Sequence, residues 1–567
     1  METTFTRDLF LVLIAALSGG LALRLLKLQP IIGYIIAGVI FGAIFPIQGL
    51  GIERLAEIGA ILLLFSVGIE LSLLRLGRVL KVALLGAGIQ IILVTFLGYF
   101  LLGMFGIGHL TALILSAGFS LSSTAVVVKI LADRGEIDTI HGEVMVGWLL
   151  VQDLAVIPMM VILPLLANSF GGELVLGGGR ALLGAGVVVG VSILVGRTVA
   201  PFLLHQVASV NSRELLVLSA VALALGTAAI TSFFGISPAL GAFLAGVVIS
   251  ESQEKHAVFA ETRPLRDLFV ALFFVTLGFL VSPAVIFANL GLILTLAIFV
   301  LIVKFLVVFL VSLGLGYHGK TAVATSFGLA QIGEFSFVIF SAAGGLGLLS
   351  AQMTSVGVAV ALLTLLATPF LFKSILPFWR WLRNITAAWP SFNKFIIGWD
   401  RKSSIRTEGL TNHIIICGFG RVGGWVGKAL DSVGIAFIVV EYNQKIVNDL
   451  AKSGRNVIYG DPTEPEVLEA AGIKEAKVIV LAIPDRVAQE QLITHVQTVA
   501  ANVKIITRAN LDEDWEKLKH LRVDKVVQPE FEAAVAIIRS ILSSMGKPKE
   551  EISEKIKSLR LSRSRQG

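Results

Sequence analysis

Thirteen apolar segments follow one another between Leu9 and about Phe378, at roughly 8–27, 30–47, 54–73, 79–104, 109–132, 144–167, 181–205, 214–234, 237–250, 266–283, 289–314, 320–345 and 352–378. Most are long enough to cross a bilayer as helices, which takes about 20 residues. A backbone in hydrocarbon must satisfy its own N–H and C=O groups, so such a chain is confined to a helical bundle. With 56% hydrophobic and only 15% charged residues in 567, an ordinary soluble enzyme is excluded. The net charge of +7 is small for this length and reads as cytoplasmic-side Lys and Arg, not as a nucleic-acid footprint. The single cysteine, Cys417, excludes an internal disulfide and a cysteine-based metal cluster. Glu2 and Asp8 precede the first apolar stretch and no small-residue cleavage site follows it, so it reads as a retained span.

An odd number of spans puts the termini on opposite sides. Arg24, Lys27, Arg75, Arg78, Lys129, Arg134, Arg213, Arg263, Lys320 and Arg380 then fall on one side, with little beyond Arg7, Arg54 and Arg180 on the other. The positive-inside bias places the N-terminus outside and everything after Phe378 in the cytoplasm. A weak repeat runs through this part. Pro30-Ile-Ile-Gly33-Tyr-Ile-Ile-Ala37-Gly38 matches Pro238-Ala-Leu-Gly241-Ala-Phe-Leu-Ala245-Gly246 at an offset of 208. The same offset pairs Phe119-Ser-Leu121 with Phe327-Gly-Leu329, and an offset of 210 pairs Gly68 with Gly278. Equivalent spans are seven apart, so the two copies run in opposite directions. Inverted repeats are an architecture of secondary transporters, with the site at the repeat interface.

Asp153, beside Gln152, is the only charge in the run from Val144 to Ala167. A carboxylate at bilayer depth is costly and normally faces a partner or a water-filled cavity. It holds a cation when ionised and a proton when neutral, which is the chemical core of proton-coupled cation exchange. The alternative is a structural Asp hydrogen-bonded between helices. Ser122-Ser123-Thr124 interrupts the fifth span, and Glu334, with Gln331, interrupts its repeat mate, the twelfth. This is the pattern of unwound helices whose free carbonyls and helix ends stabilise ions. Lys304, central in Leu292 to Leu313, is expected to be a fixed counter-charge to the carboxylates.

After residue 380 the composition changes. Residues 381–410 read as a linker or surface helix, 411–540 as a soluble domain and 541–567 as a charged tail, with a charged helix and a polar, partly disordered end from Lys547 on. Strand-like runs at 413–417, 436–441, 456–461, 478–484 and 504–509 alternate with helical segments, which is a parallel βαβ series. Gly418-Phe-Gly420-Arg421-Val422-Gly423 follows the first strand and opens a helix, and acidic Glu441 ends the second. In this context the motif is a strong sign of a nucleotide site. Its amides face phosphate, Glu441 accepts from ribose hydroxyls and disfavours NADP, and Asp461, ending the third strand, is a candidate for the adenosine end. The alternative is an empty fold used for assembly. No residues for hydride transfer or hydrolysis are evident, so a regulatory role fits better than catalysis, and the chain reads as a transporter, not an enzyme.

Together Gly-Ile-Glu70, Leu-Ser-Ser-Thr124, Gln152-Asp153, Ser-Pro238-Ala-Leu-Gly241-Ala-Phe-Leu-Ala-Gly246, Lys304 and Gln331-Ile-Gly-Glu334-Phe resemble the Kef-type branch of the bacterial monovalent cation:proton antiporter-2 family. The resemblance covers almost the whole chain. It implies a Na+/H+ antiporter-like fold, then a cytoplasmic domain of the type regulating potassium conductance. It also implies a homodimer in the bacterial inner membrane, an elevator-like moving core, and potassium as the ion, held by Asp153 and Gln152 with Ser123, Thr124, Lys304 and Glu334 around it. Control by an adenine nucleotide (AMP, NAD(H) or ATP/ADP) follows from the same resemblance. Relatives with two adjacent acids are often electrogenic sodium exchangers; Gln152 in the first position favours one-for-one exchange and potassium. Members gated by glutathione carry a second basic residue where this chain has Asn510, and Lys428 stands for an Arg of that site. A nucleotide-gated potassium channel and a sodium/proton antiporter are the competing readings.

Overall fold

The computed structural model describes residues 2–26, 30–45, 50–70, 80–137, 139–168, 206–207, 212–233, 238–250, 252, 254–279, 281–386 and 410–565. They form two compact units, one of residues 1–129 and 144–388, the other of 130–143 and 389–567.

In the first unit the helices are α1 (Glu2–Leu25), α2 (Pro30–Ile44), α3 (Leu50–Glu70), α4 (Leu80–Met104), α5 (His109–Ser120), α6 (Thr124–Asp133), α7 (Ile140–Asn168), α8 (Arg213–Phe233), α9 (Pro238–Ser250), α10 (Lys255–Phe279), α11 (Pro283–Ala288), α12 (Leu290–Gly314), α13 (Gly319–Leu329), α14 (Phe335–Gly345) and α15 (Ala351–Thr386). Every expected span falls on one of these helices or on a broken pair, except 181–205, which lies outside the described residues. Among the described residues, seven helices are long and apolar enough to cross a membrane. The tenth span begins earlier than hydropathy suggests, at Lys255, because a charged amphipathic turn leads into it. The last runs on to Thr386, so residues 381–386 are helix and not linker; residues 387–409 lie outside the described residues.

The helices sort into two bundles by contact. One holds α1, α2, α3, α8, α9 and α10; the other holds α4, α5, α12, α13, α14 and α15. Glycine lets the first bundle close. Without hydrophobic drive between helices in lipid, small residues that admit close backbone approach dominate helix contacts. A Cβ on Gly38 would lie 2.9 Å from the Gly278 Cα, and one on Gly246 would lie 2.9 Å from the Gly68 Cα. These four glycines are the repeat mates of the sequence, exchanged: Gly38 with Gly246, Gly68 with Gly278. The α2–α10 crossing is thus the α9–α3 crossing seen from the other repeat.

The second unit is a six-stranded parallel sheet in the order β3-β2-β1-β4-β5-β6. Its strands are β1 (Ile414–Cys417), β2 (Phe437–Glu441), β3 (Val457–Tyr459), β4 (Val478–Leu481), β5 (Lys504–Arg508) and β6 (Lys525–Val527). Helices cover both faces, so the central strands read as unbroken apolar runs such as IIIC and FIVVE. The order reverses between β1 and β4, where doubly wound folds open a crevice at the carboxyl ends of the strands. The helix after β1 is α16 (Arg421–Ser432). One element was missed in the sequence: β6 was not expected, because three residues are too few to show a period. The charged helix expected at the end of the chain is α18 (Lys549–Arg565), and it is packed, with Ile552 and Ile556 buried against Val535 of α17 (Pro529–Ser544).

Candidate functional site

The chain breaks two helices at the same level. The α5–α6 pair is interrupted at Leu121-Ser122-Ser123 and the α13–α14 pair between Ala330 and Glu334. The breaks touch: Gly333 N donates to Leu121 O at 3.0 Å, and Ser122 Oγ donates to Leu329 O at 2.8 Å. Leu121 and Leu329 are repeat mates, so each copy offers a carbonyl at the end of its first half-helix to the other. Gly333 is required there, since a Cβ would fall on the Ser122 carbonyl.

A broken helix exposes unsatisfied carbonyls at one cut end and N–H groups at the other, with partial charges to match. Fixed charges meet both. Lys304, fully buried, donates from Nζ to Leu121 O at 2.8 Å, Ser122 Oγ at 2.9 Å and Gln331 O at 2.6 Å. Those three bonds use all the donors of an ammonium. Glu334, nearly buried, accepts from Ala125 N at the start of α6, at a long 3.4 Å. The expectation for Lys304 is therefore corrected: it balances the negative ends of two half-helices, and the hydrogen bonds of its Nζ go to oxygens of the breaks, not to a carboxylate.

Asp153 reaches the crossing through Thr124, whose Oγ1 donates to Asp153 Oδ2 at 2.9 Å. Thr124 is the first residue of α6, so the carboxylate sits by a positive helix end. Pro158, inside α7, withholds the helical N–H from the Leu154 carbonyl next door. Gln152 is held otherwise. Its Oε1 accepts from Ser122 N at 2.8 Å, and its Nε2 donates to Gln90 Oε1 at 2.6 Å. Gln90, in α4, donates in turn to Ser120 O at 2.9 Å. This buried amide chain fixes the first break, and Gln90 is a residue that the sequence reading missed. Its signal was available: a lone amide in the apolar run 79–104.

In the soluble unit the three glycines of the loop do different work. Gly418 has φ +90°, the left-handed turn that leaves β1. A Cβ on Gly423 would fall on the Gly418 carbonyl, so helix and strand pack closely only with glycine there. Gly420 has ordinary extended angles, and a Cβ on it would meet nothing within 4 Å. Arg421 is exposed and Val422 half-buried at the start of α16.

Glu441 is buried, and its carboxylate accepts from Phe419 N at 2.8 Å, Tyr442 N at 2.9 Å and Asn443 N at 2.8 Å. Burial raises its pKa above the usual carboxylate value, and the three N–H donors oppose that rise. Asp461 lies past the end of β3, not on it; its Oδ1 accepts from Thr463 N at 2.9 Å and from Thr463 Oγ1 at 2.8 Å. Burial, then Asp461, Glu441 and Asp485, push the Tyr442 phenol well up. Burial, with Asp461 and Glu441 nearby, likewise lifts the Cys417 thiol far above its ordinary range, so it is no nucleophile.

Residues 10–376 match the family model described as sodium/hydrogen exchanger, transmembrane. The chain belongs to the sodium/hydrogen exchanger family. Residues 414–529 of this exchanger match the TrkA-N domain. It is 32% identical over 545 residues to YbaL of Escherichia coli K12, covering 92% of this chain and 96% of that one. The glutathione-regulated potassium-efflux system protein KefC of Cronobacter sakazakii is 32% identical over 541 residues, covering 94% and 84%. Among solved structures, the sodium proton antiporter MjNhaP1 of Methanocaldococcus jannaschii matches with a TM-score of 0.53 at 15% identity, over 66% of this chain and 99% of that one. That likeness concerns the fold alone. Within the exchanger's membrane unit, Asp153, Gln152, Ser123, Thr124, Lys304 and Glu334 gather around one crossing. In its soluble unit, Gly418, Gly420, Arg421, Val422, Gly423 and Glu441 gather at the end of β1, and Asp461 lies beyond β3.

Proposed function

We propose that this protein exchanges potassium for protons, with Asp153 as the shared site, and that an adenine nucleotide in its TrkA-N domain controls the exchange. The observation that supports it most is the placement of Asp153 beside the start of α6, where Thr124 Oγ1 donates to its carboxylate at the crossing of the two broken helices. Lys304 bonds three oxygens of the breaks, and Asp153 is the carboxylate that alternates between cation and proton. Cation binding to the carboxylate then requires loss of the proton, and protonation expels the cation. A channel needs no such titratable group, so exchange is favoured over channel-like efflux. Potassium is supported by the printed name of KefC and by the neutral amide at Gln152, which leaves one charge per cycle; sodium is the alternative cation.

For the soluble domain, the open space over Gly420 supports a ligand that approaches the backbone closely. Glu441, held by three N–H groups, keeps lone pairs for ribose hydroxyls and repels a 2′-phosphate, so AMP, NAD(H) or ATP/ADP is favoured over NADP. In this reading the protein works in the bacterial inner membrane as a homodimer, with its N-terminus outside and the nucleotide domain in the cytoplasm. Proton flux in proteoliposomes, driven by potassium or sodium gradients with and without nucleotide, tests the whole reading. Absence of cation-driven proton movement would defeat it.

A further inference from the structure

The two helix breaks are repeat mates, but they are not furnished alike. At the offset of 208 that relates the copies, Ser123 in the first break corresponds to Gln331 in the second. The Ser123 side chain is engaged: its Oγ accepts from Val126 N at 3.2 Å, in the first turn of α6, and its hydroxyl bonds the Glu334 carboxylate. Gln331 is not so engaged. Its side chain is fully buried, and neither Oε1 nor Nε2 has a hydrogen-bond partner among the described residues. Its main chain is committed instead, since Gln331 O accepts from Lys304 Nζ and the next amide, Ile332 N, donates to Thr364 Oγ1 at 3.1 Å. The backbone of the break is therefore pinned on both sides of a side chain that is left idle.

Burying an unpaired amide costs about 1–3 kcal/mol for each polar group, and an apolar residue of similar shape costs nothing of the kind. Leu329, Ala330 and Ile332 show that this break accommodates apolar side chains at full burial. An amide kept at 331 against that cost points to a group that uses it in part of the cycle. The same break carries Glu334, and the opposing break carries Thr124, which holds Asp153. An amide oxygen is a neutral ligand of the kind that replaces the hydration shell of a potassium ion. It adds coordination without a second titratable charge near Asp153.

We propose that Gln331 is a specificity-determining residue of the exchanger, its side-chain oxygen ligating the monovalent cation at the crossing of the two broken helices. The assignment rests on the exchange reading above. It also separates the roles of two glutamines: Gln152, bonded to Ser122 N and Gln90, is a positioning residue, and Gln331 is the ligand.

The test uses the full chain as wild type, Gln331→Leu and Gln331→Met, the second because an unbranched side chain keeps the length of glutamine. Two readouts are taken: cation dependence of proton flux in proteoliposomes, for potassium and for sodium, and the melting temperature in detergent with and without each cation. The expected result is a rise of about tenfold or more in the potassium concentration giving half-maximal flux, with a reduced preference between the two ions. Stabilisation by potassium should shrink, while the melting temperature without cation stays the same or rises. Variants with wild-type cation dependence and a higher melting temperature would make Gln331 an idle amide and overturn the proposal. So would lost flux with undiminished stabilisation by potassium, which would put the residue in the movement and not in the binding. Wild-type protein without cation-dependent flux would remove the exchange reading itself, a result separate from either.

Discussion

Lys304 shows how one side chain joins elements that the sequence keeps far apart. Its Nζ bonds to Leu121 and Ser122, more than 180 positions away, and to Gln331, 27 away. Lys304→Met keeps most of the apolar stem and removes all three bonds. Leu121 O retains Gly333 N, but Gln331 O loses the donor it has here. The expected loss is about 1–3 kcal/mol of stability, read as a lower melting temperature in detergent. Asp153→Asn is expected to fold normally and to lose cation-coupled proton flux, because an amide can neither hold nor release the exchanged proton. Measured exchange in that variant would show that another group carries the cycle. In the soluble unit, Glu441 gives a pH dependence whose sign is fixed by its environment. Its folded pKa lies above the ordinary glutamate value of 4.5, so the native state holds the proton more tightly than the unfolded chain. Its contribution to stability is complete below 4.5 and is lost as pH rises through the raised value. Thermal denaturation of residues 410–565 across that window should show lower stability at the upper end. The dependence should vanish in Glu441→Ala, which lacks the titrating group.

At the scale of elements, glycines divide into those the fold needs and those only a ligand needs. Gly423 and Gly420 stand three apart in one motif, yet the structure treats them differently. Gly423→Val would drive a side chain into the Gly418 carbonyl and is expected to destabilise the domain by about 3 kcal/mol or more. Gly420→Val has open space and extended angles, so the domain should stay folded, by circular dichroism and melting temperature, and lose nucleotide binding by calorimetry. Unimpaired binding in Gly420→Val would move the phosphate away from this loop. In the membrane unit, Gly68 is of the first kind: its Cβ would fall on the Phe243 carbonyl, so Gly68→Leu should force α3 and α9 apart and prevent stable folding.

Across the whole molecule the proposed function needs two kinds of chemistry to be coupled. The exchanger half presents Asp153, Glu334 and Lys304 at one helix crossing, and the TrkA-N half presents a Gly-rich loop at the end of β1. A ligand shifts an equilibrium only when it binds two conformations with different affinity. If the soluble domain regulates, nucleotide should change the rate of cation-driven proton flux in the full chain. The same addition should do nothing to a chain ended after Thr386, which keeps the described membrane helices. Equal responses from both would show that the nucleotide acts elsewhere. A nucleotide that binds the full chain and leaves flux unaltered would reduce the domain to an assembly module.

Hydropathy alone located the membrane helices, because burying backbone in hydrocarbon demands long apolar runs whatever the final packing. Polar residues inside those runs marked Asp153, Glu334 and Lys304 for the same reason: bilayer depth is too costly for a charge without a purpose. The Gly-rich loop and Glu441 were legible because the tight turn at Gly418 needs glycine and an acid ending β2 can accept from the N–H of Phe419 beside it. Tertiary structure decided what each group does. That Lys304 meets carbonyls instead of a carboxylate, that Gln152 is held by Ser122 and Gln90, and that the Gln331 side chain has no hydrogen-bond partner among the described residues all depend on two breaks meeting in space. Hydrogen bonds reach about 3 Å and are indifferent to separation along the chain, so no periodicity records them. The third strand's early end, the sixth strand and the packing of the C-terminal helix escaped for a related reason. Each is short or weakly apolar, and its conformation is set by the neighbours it packs against.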